Sequence, residues 1–184
     1  MHATKPPTLS LIGLLLVAAC ASPHAVVVSS ANWTVAEKDF NRLKALSGEW
    51  YLTGGVRLGE ELEANPDKTF LDYSVSSGGH AVVEKLFVDQ PQEMTTVYYL
   101  DQGQLRMDHY CSLGNQPRMI AVSSPDNEIA FQLVGVDNMP DKNDLHISSH
   151  SLEFSGPNEL TVYWGATEGQ KDAGGSMYRV KPFH

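Results

Sequence analysis

The chain has 184 residues, with 22 acidic and 13 basic side chains and a net charge of −9. A strongly acidic surface repels nucleic acid and anionic lipid headgroups, so we expect no nucleic-acid binding. The length is enough for one domain with its own core and too short for two comfortable ones.

The first twenty residues have the pattern of a secretory signal. Lys5 is the only fixed charge before Cys20, and residues 11–19 form an apolar run. That run is shorter than the roughly 20 apolar residues that cross a bilayer. Residues 17–20 (VAAC) resemble the bacterial lipobox, in which the cysteine is acylated after the signal is removed.

The lipobox resemblance implies that residues 1–19 are a signal peptide, that residues 20–33 are a lipidated tether and that Cys20 anchors the chain to a lipid bilayer. Alanine rather than aspartate at position 21 implies the cell envelope, at the periplasmic face of the outer membrane. The alternative is an ordinary signal cleaved near position 21, with Cys20 discarded. Without residues 1–19 the net charge is −10, and acylation of Cys20 leaves Cys111 as a lone thiol.

The sequence predicts one short helix after the tether. Thr34 and Glu37 have the spacing of a capping box, which satisfies free backbone donors. Apolar side chains then recur at helical spacing, and Gly48 ends the helix. The predicted apolar stripe consists of Phe40, Leu43 and Leu46.

From residue 49 onward, short extended runs alternate with turn residues. This spacing predicts a mainly β domain over residues 34–184: an antiparallel meander β-barrel of about eight to ten strands after one short helix. A β-sandwich is the alternative. No helical run is long enough for a crossover between parallel strands. The predicted strands are 49–58, 69–75, 80–88, 94–101, 103–111, 117–123, 128–135, 145–154, 159–167 and 176–182.

Residues 48–50 (GEW), directly after the helix, resemble the entry of lipocalin-like (calycin) barrels. In those families the tryptophan plugs one end of the barrel, and a basic side chain from the last strand lies across its ring. The resemblance covers roughly residues 34–183 and implies that Trp50 and Arg179 form this barrel-closing pair. Such a cation–π contact contributes about 0.5–2 kcal/mol.

The segment 105–111 (LRMDHYC) alternates in polarity, which places His109 and Cys111 on one face of a strand. If that face is the interior, the two residues project into the barrel about 7 Å apart. They could bind a soft metal or a haem. We favour a buried thiol beside a hydrogen-bonded core histidine, because a metal needs three or four ligands and no close spacing supplies the others.

The following turn carries more polar side chains than a hairpin needs. Asn115, Gln116 and Arg118 could hold a carboxylate or another polar ligand group, for which the forked arginine is suited. The alternative is a tight turn with a surface arginine. Residues 109–119 also resemble a recurring stretch of bacterial lipocalin-like proteins to which no activity is attached.

Other candidate residues are weaker. Glu84 shares a face with apolar neighbours and would need a histidine or arginine partner if buried. His146 and His150 share a strand face about 13 Å apart, so one ion cannot bridge them. The sequence contains no nucleophile elbow, P-loop or zinc-protease motif, so no catalytic or metal-binding residue is assigned.

These observations predict a binding protein that holds a small hydrophobic or amphipathic ligand inside the barrel, without a required cofactor. The alternatives are a haem- or metal-binding barrel using His109 and Cys111, and a structural or partner-binding lipoprotein with a filled barrel. The apolar walls are expected to include Trp50, Leu52, Val97 and Leu105. The predicted pocket residues are His109, Cys111, Arg118, Glu84, Met107, Tyr99, Phe131 and Trp164.

Overall fold

The computed structural model of the chain describes residues 34–183. The signal peptide, the acylated Cys20 and the tether predicted from the sequence lie outside the described residues. Within residues 34–183, no helix has both the length and the apolar content needed to cross a bilayer.

The described residues form one helix followed by eleven antiparallel strands, ten of which close into a barrel. From β3 to β11 each strand pairs with the next in the chain, and β1 closes the ring by pairing with both β3 and β11. The predicted meander barrel is thereby confirmed, and the sandwich alternative is wrong. The elements are α1 (Val35–Ala45), β1 (Gly48–Arg57), β2 (Glu60–Leu62), β3 (Asn65–Ser76), β4 (Ala81–Leu86), β5 (Met94–Asp101), β6 (Gln104–Tyr110), β7 (Gln116–Val122), β8 (Glu128–Asp137), β9 (Leu145–Gly156), β10 (Glu159–Glu168) and β11 (Lys171–Pro182).

Helix α1 covers one end of the barrel, the end at which β1 begins, and we call this the closed end. The predicted capping box is present: Glu37 N–H donates to Thr34 Oγ1 at 3.2 Å, and Thr34 N–H donates to Glu37 Oε2 at 2.7 Å. The helix packs against β3, β5 and β6. Its predicted apolar stripe is buried, as expected for a helix that caps a core: Phe40, Leu43 and Leu46.

Trp50 lies buried at the closed end, where its indole N–H donates to the Leu46 carbonyl at 2.8 Å. The predicted contact with Arg179 does not form. Arg179 lies on the outer face of β11, exposed to solvent, because its neighbours Tyr178 and Val180 occupy the inner face and strand side chains alternate. The barrel-closing pair of Trp50 and Arg179 is therefore wrong.

A different arginine connects the helix to the barrel wall. The Arg42 guanidinium carbon lies 4.0 Å from the centre of the Phe154 ring on β9. Arg42 also pairs with Asp39 one turn earlier at 3.2 Å. The attraction between a cation and an aromatic ring thus fixes the helix against the barrel, and it does not involve the tryptophan.

The seam between β1 and β11 depends on glycine. The pairing shifts by one residue between Leu52 and Gly54, and Gly54 has a φ of +145°, which L-residues with side chains rarely adopt. At Gly55, a Cβ atom would collide with the Met177 carbonyl of the facing strand. Close approach of the two backbones is what lets the first and last strands of the barrel pair.

Side chains fill the interior of the barrel from the closed end to past its middle. They form one continuous cluster of buried residues contributed by the helix and the barrel strands. The predicted interior residues Leu52, Leu105, Met107 and Phe131 all belong to it, whereas the predicted wall residue Val97 is only half-buried and lies outside this cluster. A pocket lies where the side chains at the opposite end, which we call the open end, stop short of closing the barrel.

The closing role of α1 can be tested with Leu43→Ala. Leu43 is completely buried, so its truncation should lower the free energy of unfolding by about 2–5 kcal/mol in urea denaturation. Val35→Ala on the same helix is the matched control, because Val35 is 74 % exposed and should change stability little. Equal effects of the two substitutions would contradict the packing described here.

Candidate functional site

A pocket of about 130 Å³ opens at the end of the barrel opposite the helix. Its floor is made by His109 of β6 and Trp164 of β10. Met94 and Cys111 contribute to one wall. Three leucines form the rim: Leu58 and Leu113 lie in the turns after β1 and β6, and Leu145 is the first residue of β9. They are exposed by 59 %, 55 % and 36 %, respectively.

Each of the two floor residues has a buried ring nitrogen without a hydrogen-bond partner. His109 is 1 % exposed, and its Nδ1 lies 2.9 Å from Thr96 Oγ1, but its Nε2 has no partner. Trp164 Nε1 is likewise buried and unpartnered. The two ring centroids are 4.5 Å apart. A buried polar group without a partner costs about 1–3 kcal/mol, so a molecule that bonds to these atoms would recover free energy.

His109 is neutral at pH 7. Burial lowers its pKa from 6.5 to about 4, because the charged imidazolium loses its hydration inside the barrel. The floor therefore offers no positive charge to a ligand. Its Nε2 either donates or accepts a hydrogen bond, depending on whether Thr96 donates to Nδ1 or accepts from it.

Beneath the floor, a chain of buried polar groups crosses the barrel interior. Tyr98 Oη lies 2.7 Å from Glu84 Oε2 and 2.8 Å from His150 Nε2. His150 Nδ1 lies 3.0 Å from the Tyr163 carbonyl, which can only accept, so Nδ1 carries a proton. Tyr73 lies beside Glu84, but its hydroxyl does not reach hydrogen-bonding geometry.

The position of the protons in this chain follows from donor and acceptor rules. Tyr98 has a single hydroxyl proton, and neutral His150 offers Nε2 only as an acceptor because Nδ1 is already protonated. If Tyr98 donates to His150, Glu84 must be protonated in order to donate to Tyr98. If Glu84 is ionised and accepts from Tyr98, His150 must be a doubly protonated imidazolium. The three groups therefore share one proton.

Burial selects the first of these two arrangements. It raises the pKa of Glu84 from 4.5 to about 7 and lowers the pKa of His150 from 6.5 to about 3, because both charged forms are poorly solvated there. Below pH 7 the three hydrogen-bonded groups are therefore the carboxylic acid of Glu84, the phenol of Tyr98 and the neutral imidazole of His150. All three are uncharged, which suits the apolar interior.

The buried chain also supports the pocket floor. The His150 ring stacks on Trp164, with centroids 3.8 Å apart and planes inclined by 24°. Trp164 in turn contacts His109. Because His150 is fixed by hydrogen bonds on both ring nitrogens, it gives the indole a rigid surface to pack on.

The structure distributes the eight predicted pocket residues over three locations. His109, Cys111 and Trp164 line the pocket at the open end. Glu84, Met107 and Phe131 face inward but belong to the packed interior below it. The remaining two, Tyr99 and Arg118, lie on the outside of the barrel.

The predictions for Tyr99 and Arg118 are corrected by strand alternation. On β5 the inner positions are Thr96 and Tyr98, so Tyr99 points outward and donates to Asp108 at 3.3 Å. Arg118 lies on the outer face of β7, where its side chain is 49 % exposed and pairs with Asp137 at 2.9 Å. Neither residue can contact a ligand in the pocket.

The neighbouring turn has a structural role. Asn115 is buried, and its Nδ2–H donates to the Leu145 carbonyl at 2.8 Å, which holds the start of β9 against the turn after β6. The polar side chain therefore shapes the rim of the pocket rather than binding a ligand directly.

Four residues of the site were missed by sequence reasoning: Thr96, Tyr98, Met94 and His150. The first three share the inner face of β5, and the register with β6 sets Thr96 opposite His109. Alternation along β5, starting from buried Tyr98 instead of Tyr99, would have found all three. His150 was noted only for its distance from His146, and its partner Tyr98 is 52 residues away.

The haem alternative does not fit the pocket. Cavities that enclose drug-sized ligands have volumes of about 300–1,000 Å³, and a haem is larger than most such ligands. The pocket here has about 130 Å³, and packed side chains lie below it.

Comparison with known proteins gives no assignment. The sequence of the chain matches no protein-family model and no protein of curated function. The resemblance to lipocalin-like proteins stays a prediction.

The shared proton predicts how stability depends on pH. Glu84→Gln keeps the size of the side chain and its hydrogen bond to Tyr98 but removes the ionisation. The pKa of Glu84 is about 7 in the folded protein and about 4.5 in the unfolded chain. The stabilisation that the protonated Glu84 gives to the folded state is therefore fully present below pH 4.5 and is lost as the pH rises through 7. The variant should therefore gain stability relative to the wild type by about 3 kcal/mol between about pH 4.5 and pH 8.

Urea denaturation of both proteins at the two pH values measures this gain. Glu61→Gln is the matched control, because Glu61 is an exposed carboxyl on β2. A difference between Glu84→Gln and the wild type that does not change with pH would show that Glu84 is not held protonated by the fold.

Proposed function

We propose that the barrel binds one small amphipathic molecule at its open end. The polar group of the ligand contacts the floor, and its apolar part packs against the walls and the leucine rim. The observation that carries this proposal is the pair of buried, unpartnered nitrogens, His109 Nε2 and Trp164 Nε1, in the floor of an otherwise largely apolar pocket. Binding pockets commonly combine apolar walls with a few polar groups that orient the ligand.

The size of the pocket limits how much of a ligand it encloses. A cavity of about 150 Å³ in another protein binds benzene, and the pocket here has about 130 Å³. It therefore accommodates a small ring or a short hydrocarbon segment. A longer chain would leave the pocket over Leu58, Leu113 or Leu145, whose exposed side chains would cover it.

The electrostatics of the floor favour an uncharged polar group. Trp164 can only donate a hydrogen bond, and neutral His109 can accept or donate one. A hydroxyl group or a protonated carboxylic acid matches both. A carboxylate at the floor would lose its hydration without meeting a positive charge there, because the pKa of His109 is lowered to about 4. The arginine of the pocket lining, Arg57, lies at the end of β1 beside the rim, with its guanidinium over the Phe87 ring.

A primary alcohol of about eight carbons tests the proposal. Native mass spectrometry and tryptophan fluorescence should detect one bound molecule of 1-octanol per chain. Ala166→Leu extends a wall residue into the pocket and should weaken binding about tenfold, because it excludes about two methylene groups worth about 0.8 kcal/mol each. Octanoate at a pH well above 7 should bind more weakly than the alcohol.

Ala130→Leu is the matched control for this experiment. Ala130 lies on β8 between the buried Ile129 and Phe131, so its side chain points out of the barrel and the substitution should leave binding unchanged. The proposal fails if the alcohol does not bind, or if the two alanine variants bind it equally well.

We also propose that the domain is an exported lipoprotein anchored through Cys20 at the periplasmic face of the outer membrane. The proposal is supported by the sequence pattern alone: a single lysine, a short apolar run and small residues before a cysteine. Acyl chains on Cys20 would hold the domain at the membrane without a spanning segment, since each buried methylene contributes about 0.8 kcal/mol.

Metabolic labelling in a Gram-negative host with an alkyne-bearing fatty acid tests the anchor. Label should appear on the wild type and on Cys111→Ser, and it should be absent from Cys20→Ser, which should move from the membrane to the soluble fraction. Cys111→Ser is the matched control because it removes the other cysteine of the chain. Labelling that persists in Cys20→Ser would refute the assignment.

A further inference from the structure

Two sulfur-containing side chains and an imidazole line the same pocket. Cys111 Sγ lies 3.9 Å from Met94 Sδ, and both residues line the pocket together with His109, whose Nε2 is buried and unpartnered. We propose that the Cys111 thiolate, the Met94 thioether and His109 Nε2 bind a single Cu(I) ion. The inference is independent of the organic ligand proposed above, although the two would occupy the same pocket.

The sulfur–sulfur distance fits a three-coordinate metal. Metal–sulfur bonds in proteins are about 2.3 Å long, so two sulfur ligands separated by 3.9 Å subtend an angle of about 120° at the metal. That is the angle of a planar trigonal centre. Strand pairing produces this distance, because the register that sets Thr96 opposite His109 also brings Met94 level with Cys111.

His109 is prepared to act as a metal ligand. Metal-binding histidines use a neutral ring and usually donate the other ring N–H to a nearby acceptor, which fixes the orientation of the ring. Here Thr96 Oγ1 lies 2.9 Å from Nδ1 and can accept that N–H, which leaves the lone pair on Nε2.

The donor set selects a soft monovalent ion. Among residues 34–183, no three histidine, cysteine, aspartate or glutamate side chains come together in a way that could hold a metal. The third ligand must therefore be the thioether of Met94. Thiolate and thioether sulfur favour Cu(I), whereas magnesium, calcium and manganese prefer oxygen ligands.

Charge balance also favours Cu(I). In the free protein the Cys111 thiol donates its S–H to Met94 Sδ. On binding, the S–H bond breaks, a Cu–S bond forms and the proton goes to solvent, and no group is oxidised or reduced. A monovalent ion and one thiolate give a neutral centre, which an apolar pocket accommodates at lower cost than a net charge.

Anaerobic titration of the purified protein with Cu(I) against a chromogenic Cu(I) chelator tests the site. We expect one ion per chain. Cys111→Ser should weaken binding by at least 100-fold and Met94→Leu by at least 10-fold, since even outer-sphere partners of metal sites typically contribute 10–100-fold. Met177→Leu is the matched control, because Met177 lies on the outer side of β11, next to inward-facing Tyr178.

X-ray absorption of the bound copper provides a second measurement that does not depend on the variants. It should show two sulfur ligands and one nitrogen ligand, with one sulfur lost in Met94→Leu. The inference is overturned if the wild type does not retain Cu(I) against the chelator, or if Met94→Leu and Cys111→Ser bind like the wild type. Binding of 1-octanol without binding of Cu(I) would reject the metal site and leave the proposed ligand pocket standing.

Discussion

The Tyr98 hydroxyl is the group that allows a carboxyl and an imidazole to lie in the interior of this barrel. Glu84 is completely buried, and a buried charge without a partner costs several kcal/mol. Tyr98 avoids that cost by joining the acid to His150 at hydrogen-bonding distance on both sides. Glu84, Tyr98 and His150 thus satisfy one another by hydrogen bonding inside the barrel. The interior remains uncharged because a single shared proton neutralises Glu84 while His150 stays neutral.

The Tyr98 hydroxyl also supports the floor of the pocket, through His150 and Trp164. His150 is held between Tyr98 and the Tyr163 carbonyl, and Trp164 stacks on it. Trp164 contacts His109, so the two unpartnered nitrogens of the floor rest on a layer that hydrogen bonds have already fixed. Because that layer is neutral and His109 is neutral as well, the floor of the pocket presents polarity without charge. An alcohol and a charge-compensated Cu(I)–thiolate centre both meet this requirement.

The sequence predicted most of the fold because the relevant signals are local. Turn residues separated the strands, and the capping box of Thr34 and Glu37 marked the helix. Strand β2 was missed because three residues are too few to show alternation. The last strand was predicted to begin at residue 176, but β11 already begins at Lys171 and includes Gly174 and Gly175. A Cβ at Gly175 would come within 2.7 Å of the Trp164 carbonyl on the facing strand.

The site was less predictable because its contacts join distant strands. The inward direction of His109 and Cys111 followed from alternation with buried Leu105 and Met107. The outward direction of Tyr99 and Arg118 could not be predicted in this way. Tyr99 lies next to Tyr98 and Arg118 lies next to Met119, and the sequence does not show which residue of each pair points inward. Hydrogen-bond partners inside the barrel are harder still to predict from the sequence. The contact between Tyr98 and His150 joins two strands across the interior and depends on how the barrel curves.

The two ends of the barrel have separate roles, and the position of the helix explains why. Thr34 caps α1, and the first turns of the helix lie beside the connection between β7 and β8, at the closed end. The described chain therefore enters the domain at the end opposite the pocket, and α1 closes that end with its apolar stripe. The open end has no such covering helix among residues 34–183, so the leucine rim is left exposed there.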